Sequence, residues 1–426
     1  EDHLRSEMES LMKAGLSGQE AFMVAIGRLG SMDSLSAEYA REHSGRLWKQ
    51  LVLVRDEPAG NCSPKPVFPV RTVILAAGAA LSMKFPSLFF HGSPAAVDAF
   101  YMRNLAVLVL PFLALFFLSC RRQDKPAPVS VIFMTGGIFL LAGFAANAYP
   151  MQPEADTLML LAVHLPLLAW FAVGSMYPGN GLKTATGRMD FVRFSGEFFI
   201  YYVLMALGGG VLVAFSALVF GAIGYDFEPV IESWMVPCGA GAAVIMAAWL
   251  VEEKKSVIEN MAPVLTRIFS PLFAMMLLAF LGSMVVTGRG ISMERDILIA
   301  FDLLLVMVLA LFLYSISARE PAAPPAPFDV IQLALLLAML ATDALALMNI
   351  SSRIVEYGTT PNRLAALGLN LLVLVNLGRA ALLQYRFIRG KTGFASIEKW
   401  QTDYMPLYAV WAALVVFVFP PLFGFV

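Results

Sequence analysis

The chain has 426 residues, of which 59% are hydrophobic and 14% charged, with a mean hydropathy of +0.72, well above the roughly 45–50% apolar content of soluble domains. Those values exclude an ordinary soluble globule and leave a membrane protein as the class. A net charge of −1, with basic residues in short loops between apolar runs rather than gathered on one face, excludes nucleic-acid binding.

The chain opens at Glu1 without a basic start followed by an apolar core, so no signal peptide is read and insertion is expected to rely on the first span. Residues 1–50 read as three short amphipathic helices, with Ser17 and Glu20 forming a capping box and Gly30 a stop. Leu4, Met8, Leu11, Phe22, Ile26, Leu29, Leu35 and Tyr39 supply a small apolar core, marginal for so short a unit on its own. The words GLSGQEAFMVAIGRLG and LSAEYAREHSGRLWKQ within it resemble the permease-prefix type of domain that precedes some bacterial membrane proteins, including export permeases. The resemblance implies a cytosolic helical domain, either an inert cap or a regulator that docks a protein partner. A Pro/Gly-rich linker, residues 51–66, follows.

From residue 67 to 426 the sequence reads as a transmembrane domain. Apolar runs of the roughly 20 residues needed to cross a hydrocarbon core fall at 67–83, 100–119, 129–148, 155–175, 194–221, 230–250, 268–287, 296–317, 328–350, 362–385 and 405–424. The predicted fold is therefore all-α: a polytopic membrane helix bundle of about eleven spans, carrying a small N-terminal cytosolic helical domain. Alternate loops hold Lys49, Arg55, Lys65 and Arg71; Arg121, Arg122 and Lys125; Lys183, Arg188 and Arg193; Lys254, Lys255 and Arg267; Arg319; and Arg386, Arg389, Lys391 and Lys399. Only Lys84, Arg103, Arg289, Arg295, Arg353 and Arg363 fall on the intervening loops. Cytoplasmic loops retain Lys and Arg, so the N-terminus is expected in the cytoplasm and the C-terminus outside.

Pro111, Pro166, Pro237 and Pro271 mark irregular points inside the spans. Gly208, Gly209 and Gly210 interrupt the long run from Phe191 to Gly224, where either a kink or an interfacial start on the inner side is expected.

Polar residues inside these spans are the candidate chemistry, because an ionisable group in lipid costs roughly 2.5–3.5 kcal/mol on insertion scales and so faces protein or a water cavity. Measured from the outer ends of their spans, His164, Asp302, Asp343 and Asn370 share one layer roughly 10–13 Å deep. Such a layer binds a cation or another ligand or relays a proton, or else consists of helix–helix hydrogen bonds with one neutral Asp. Gln332 lies on the same stripe as Asp343, about three turns away. Glu197 and Arg379, both in the inner third, are read as a structural ion pair, with snorkelling of Arg379 as the alternative. Asn376 also needs an internal partner.

In the outer loop EYGTTPNRL, Thr360 suits an N-cap and Pro361 the first helical position. The run SSRIVEYGTTPNRLAALGLNLLVLVNLGRA, with the Pro/Ala loop before it and GKTGFASIEKWQTDYMPLYAVWAAL after it, resembles the bacterial inner-membrane family known only as domain of unknown function 4153. Tyr357, Gly358, Pro361, Asn362 and Arg363 are the matching positions and read as a structural outer cap; the resemblance implies no activity.

Enzyme signatures are missing: there is no GxxxxGK[ST], HExxH or GxSxG, and GNGLKTATGR lacks the preceding strand of a phosphate loop. Cys62, Cys120 and Cys238 are too scattered for a disulfide framework or a metal site, so no metal and no cofactor are expected. The leading reading is a bacterial inner-membrane transport-type protein for a small solute, ion or lipid, with Asp302, Asp343, Asn370 and His164 as its site. The alternative is a membrane sensor or assembly factor that signals through residues 1–50. Membrane lipids are the expected surroundings.

Overall fold

The computed structural model describes Met12 and residues 70–425, apart from 90–93, 122–126, 151–154, 178–180, 223–225, 254–260, 288–294 and 321. The expected three-helix module of residues 1–50 and the linker lie outside the described residues. Within them every regular element is a helix, as a chain in hydrocarbon requires: only helices and closed barrels satisfy all backbone donors and acceptors there.

The long helices are α1 (Val70–Phe89), α2 (Pro94–Cys120), α3 (Val129–Ala148), α4 (Asp156–Met176), α5 (Ala185–Ala222), α6 (Val236–Glu253), α7 (Met261–Thr287), α8 (Arg295–Ser317), α9 (Pro327–Tyr357), α10 (Pro361–Ile388) and α11 (Ala395–Phe417), with a last short turn, α12 (Phe419–Leu422). The expected apolar runs overlap these helices, though 67–83 begins outside the described residues, 230–250 begins ahead of α6, and 405–424 continues past α11 into α12. Nine helices among the described residues are long and apolar enough to cross a membrane. Large apolar side chains such as Phe133, Leu140 and Phe144 point outward with no cover, the arrangement lipid favours, since acyl chains are as apolar as the side chains themselves.

Side-chain hydrogen bonds fix an up-and-down order. Arg71 at the start of α1 donates to Ser119 O at the end of α2 (2.9 Å), Arg121 to Tyr177 O just past α4 (2.9 Å), and Arg193 near the start of α5 to Ser317 O at the end of α8 (3.1 Å from Nε). These guanidinium groups meet the free carbonyls and negative dipole ends of helices that finish at the same level. At the other end Tyr101 of α2 donates to Met83 O of α1 (3.0 Å), Asn104 of α2 and Asn147 of α3 exchange hydrogen bonds (3.1 and 2.8 Å), and Tyr149 beyond α3 donates to Phe417 O of α11 (3.1 Å). The bundle thus has an arginine-rich end and an opposite end.

Punctuation explains the boundaries. Pro327 and Pro361 open α9 and α10 at positions where the missing N–H costs nothing. Thr360 accepts from Arg363 N (3.3 Å), the cap read from sequence. Gly358 ends α9 at φ 78°, a conformation that glycine adopts without strain. Pro237 follows a π-helical turn, Ile231–Met235, ahead of α6; its missing N–H and ring crowding disturb the preceding hydrogen-bond ladder. The expected kink at Gly208–Gly210 is not needed: α5 runs through it for 38 residues, about 57 Å. Its first part, including Phe191, Phe194 and Glu197, is buried against the bundle, whereas its later apolar part is exposed. The surplus length therefore lies at the arginine-rich start.

Among the described residues two large apolar cores form, with a small third cluster of Ala365, Val415 and Phe419. One joins α1–α4 and α6 with the start of α5 and Ala412 and Val416 of α11. The other joins α7–α11 with Met189 and Val192 of α5. At one contact the backbones touch: a Cβ on Gly241 of α6 would lie 2.7 Å from Ala79 O of α1, the close approach that small residues allow between membrane helices.

Candidate functional site

At the opposite end, α4, α8, α9 and α10 surround a cavity of about 550 Å³, within the size range of small-molecule sites. Its walls are largely apolar, from Met159, Leu160, Val163, Ile299, Ile350 and Leu369, and its polar groups are Asp156, His164, Asp302, Arg353, Thr360, Asn362 and Arg363.

Asn370 of α10, a buried residue, donates from Nδ2 both to Ala366 O (2.9 Å) and to Asp302 Oδ1 of α8 (2.9 Å). Both amide protons are spent, so the group is locked and holds the Asp302 carboxylate towards the cavity. His164 of α4 places Nδ1 2.9 Å from Leu160 O. A carbonyl only accepts, so Nδ1 carries the proton and Nε2 is left as the free nitrogen of the ring. Asp343, midway along α9, is fully buried, and neither of its carboxylate oxygens has a hydrogen-bond partner. It lies within electrostatic reach of Asp302 but does not itself line the cavity. Of the four residues read as one layer, Asp302 and His164 line the cavity, Asn370 is tied to Asp302, and Asp343 lies within electrostatic reach of Asp302.

Gln332 does not join that group. Its amide donates to Ser315 Oγ of α8, nearer the arginine-rich end. The expected Glu197–Arg379 pair is also corrected. Arg379 faces outward on α10 with its guanidinium 5.9 Å over the Trp400 ring of α11. Glu197 is buried on α5 and acts electrostatically on Tyr177, Tyr201 and Tyr314. Helical facing separates them: shared depth in the bilayer does not set the direction in which a residue points.

The mouth of the cavity is shaped by the α9–α10 turn. Arg363 donates to Tyr357 O (3.1 Å) and Gly358 O (2.7 Å), and its guanidinium lies 5.6 Å over the Tyr357 ring. The outer cap read from sequence thus also supplies a cation to the cavity, as does Arg353 one turn before the end of α9. Their part in the cavity was not visible from sequence, because loop position alone does not reveal which way the turn folds.

Two further polar clusters run down α10. Asn376 donates to Gln401 Oε1 and to Tyr408 Oη of α11 (3.0 Å each), while Trp400 Nε1 donates to Asn376 O (3.2 Å). Nearer the arginine-rich end, Gln384 donates to Asp329 O (3.2 Å), and Asp329 pairs with Arg319. Among the described residues no group of His, Cys, Asp and Glu is arranged to hold a metal ion.

No family model, no curated protein and no solved structure matches the chain. Its fold and composition define a helical, multi-pass membrane protein, here with a part-polar cavity set between four helices near one end.

Proposed function

We propose that the chain is a bacterial inner-membrane transport-type protein that moves a small solute, ion or lipid, and that Asp302, Asp343, Asn370 and His164 form its site. One observation carries this reading: Asp302, held by Asn370, and His164 line a cavity of about 550 Å³, and the buried carboxylate Asp343, whose oxygens have no hydrogen-bond partner, lies within electrostatic reach of Asp302. Polar groups deep in a membrane bundle are costly and are retained where a pathway or a ligand uses them. A water-accessible pocket reaching Asp343 favours transport, and a dry, close-packed bundle with an exposed apolar groove on residues 1–50 favours the sensor.

In this reading the chain crosses the membrane eleven times with its arginine-rich end in the cytoplasm, since Lys and Arg are retained on that side. Residues 1–50 then form a cytosolic module that regulates the bundle or docks a protein partner. The resemblances to permease-prefix domains and to domain of unknown function 4153 accord with this arrangement and stay part of the proposal.

The test is flux through purified protein in lipid vesicles, challenged with amino acids, sugars, carboxylic acids, monovalent cations and a fluorescent phospholipid. Native protein should move at least one of these, and a variant carrying both Asp302→Asn and Asp343→Asn should lose that movement while retaining its fold. Unaltered flux in the double variant would remove the site assignment.

A further inference from the structure

The deepest unexplained feature of the cavity region is Asp343. It sits midway along α9 (Pro327–Tyr357), has no exposed surface, and finds no hydrogen-bond donor for either oxygen. The polar side chains of Asp302 and Asn370 on the neighbouring helices are engaged with each other. On α8, Asp302 accepts from Asn370 and presents a like charge. On α10, both Nδ2 protons of Asn370 are committed to Ala366 O and Asp302. On α11, the Tyr408 hydroxyl accepts from Asn376 and is close enough to feel the Asp343 charge. On α7, the buried residues are Thr266, Ser270, Ala274 and Leu277, without a carboxylate or a cation. His164 of α4 stands across the cavity. The nearest cation on its own helix is Arg353, ten residues and about 15 Å further along.

An ionised carboxylate in that position would lack a counter-charge, a donor and water together, which proteins avoid by neutralising the group. Lipid and protein offer it no other neutral state. We propose that Asp343 is a proton-binding site: it holds one proton as a neutral acid in this conformation, and the Asp302–Asn370 cavity is the route by which that proton arrives from water and leaves. The bond formed is the O–H of the Asp343 carboxylic acid; the bond broken is an O–H of a hydronium ion in the cavity, which leaves as water. Two carboxylates within reach of each other, one hydrogen-bonded and one bare, divide in this way between an ionised and a protonated member. The proposal deepens the transport reading by naming the proton as the coupling ion and rests on that reading only for the coupling, not for the proton itself.

Infrared spectroscopy on the full chain in lipid vesicles at neutral pH tests it. A carbonyl band of a neutral carboxylic acid is expected in the native protein, lost in Asp343→Asn and kept in Asp302→Asn, with the amide bands reporting that each protein is folded. Labelling by dicyclohexylcarbodiimide, which attacks protonated carboxyls in apolar surroundings, is expected on Asp343 of the native protein and should fall away at alkaline pH; this measurement needs no variant to fold. Absence of both the band and the label would overturn the proposal. A protonated Asp343 in a protein that moves no solute keeps the proton site and removes the transport reading, whereas an ionised Asp343 in a protein that does move solute does the reverse.

Discussion

Gly368 of α10 lies flat against the indole of Trp411 of α11, so close that a Cβ at 368 would fall 1.9 Å from Trp411 Cη2. The contact is with the body of a rigid ring rather than the tip of a flexible chain. Adding a methyl group there forces the ring or the helix to shift. Overpacking of this kind costs roughly 1–3 kcal/mol, so Gly368→Ala should lower the melting temperature of the purified protein in detergent. Combining it with Trp411→Leu should restore part of the loss relative to Trp411→Leu alone, a coupling that a double-mutant cycle measures. Additive effects would mean that the ring is not what the new methyl meets.

A second prediction concerns Arg319, whose guanidinium pairs with Asp329 and lies over both Phe387 and Phe394, 5.0 and 4.9 Å from their ring centres. Asp329 is fully buried; besides Arg319 it receives Ala326 N (2.7 Å), and its backbone carbonyl takes Gln384 Nε2. Removing one member of a buried pair strands the other and costs roughly 3–5 kcal/mol. Asp329→Ala should therefore destabilise strongly, and Arg319→Lys should fail to substitute, because an ammonium cannot stack on two rings and donate in a planar fork at once. Thermal melting of both variants checks this; a native-like Arg319→Lys would mean that charge alone suffices.

How far the sequence carried follows from these residues. The helices were legible because uninterrupted apolar runs leave the backbone no other structure, and Thr360 with Pro361 marked a helix start in plain chemistry. The partnership of Asp302 with Asn370 was legible as a matter of depth, since both are isolated polar groups at one level of neighbouring spans. Direction around a helix was not legible in runs that are apolar on every side. This is why Arg379 was assigned to Glu197 instead of the Trp400 ring. Gln401 escaped as a partner of Asn376 for a different reason: α11 begins at Ala395, ten residues before its apolar run, in a stretch that reads as loop-like and charged.

Asn376 leads to a third prediction. It ties α10 to α11 through Gln401 and Tyr408, and hydrogen bonds between membrane helices average about 0.6 kcal/mol, reaching about 1.7. Asn376→Leu should thus lower stability by roughly 1–2 kcal/mol, the upper part reflecting a glutamine left buried without its donor. Since Asn376 lies six residues beyond Asn370, about 9 Å further along α10, the carbodiimide labelling of Asp343 should be unchanged in this variant. Loss of labelling would show that the two polar clusters act as one unit.

The last prediction tests which way the bundle faces. Arg71, Arg121, Arg193 and Arg319 cluster with the ends of α2, α4, α8 and α10, while the cavity opens beside the α9–α10 turn at the other end. Retention of Lys and Arg on the cytoplasmic side puts the turn residue Thr359 outside and Lys391, just beyond α10, inside. In a background lacking the native cysteines, a membrane-impermeant maleimide should label Thr359→Cys on intact cells and should reach Lys391→Cys only after the membrane is opened. Both positions are exposed, so burial does not confuse the result. The reverse pattern would turn the cavity towards the cytoplasm and make any proton reaching Asp343 come from that side.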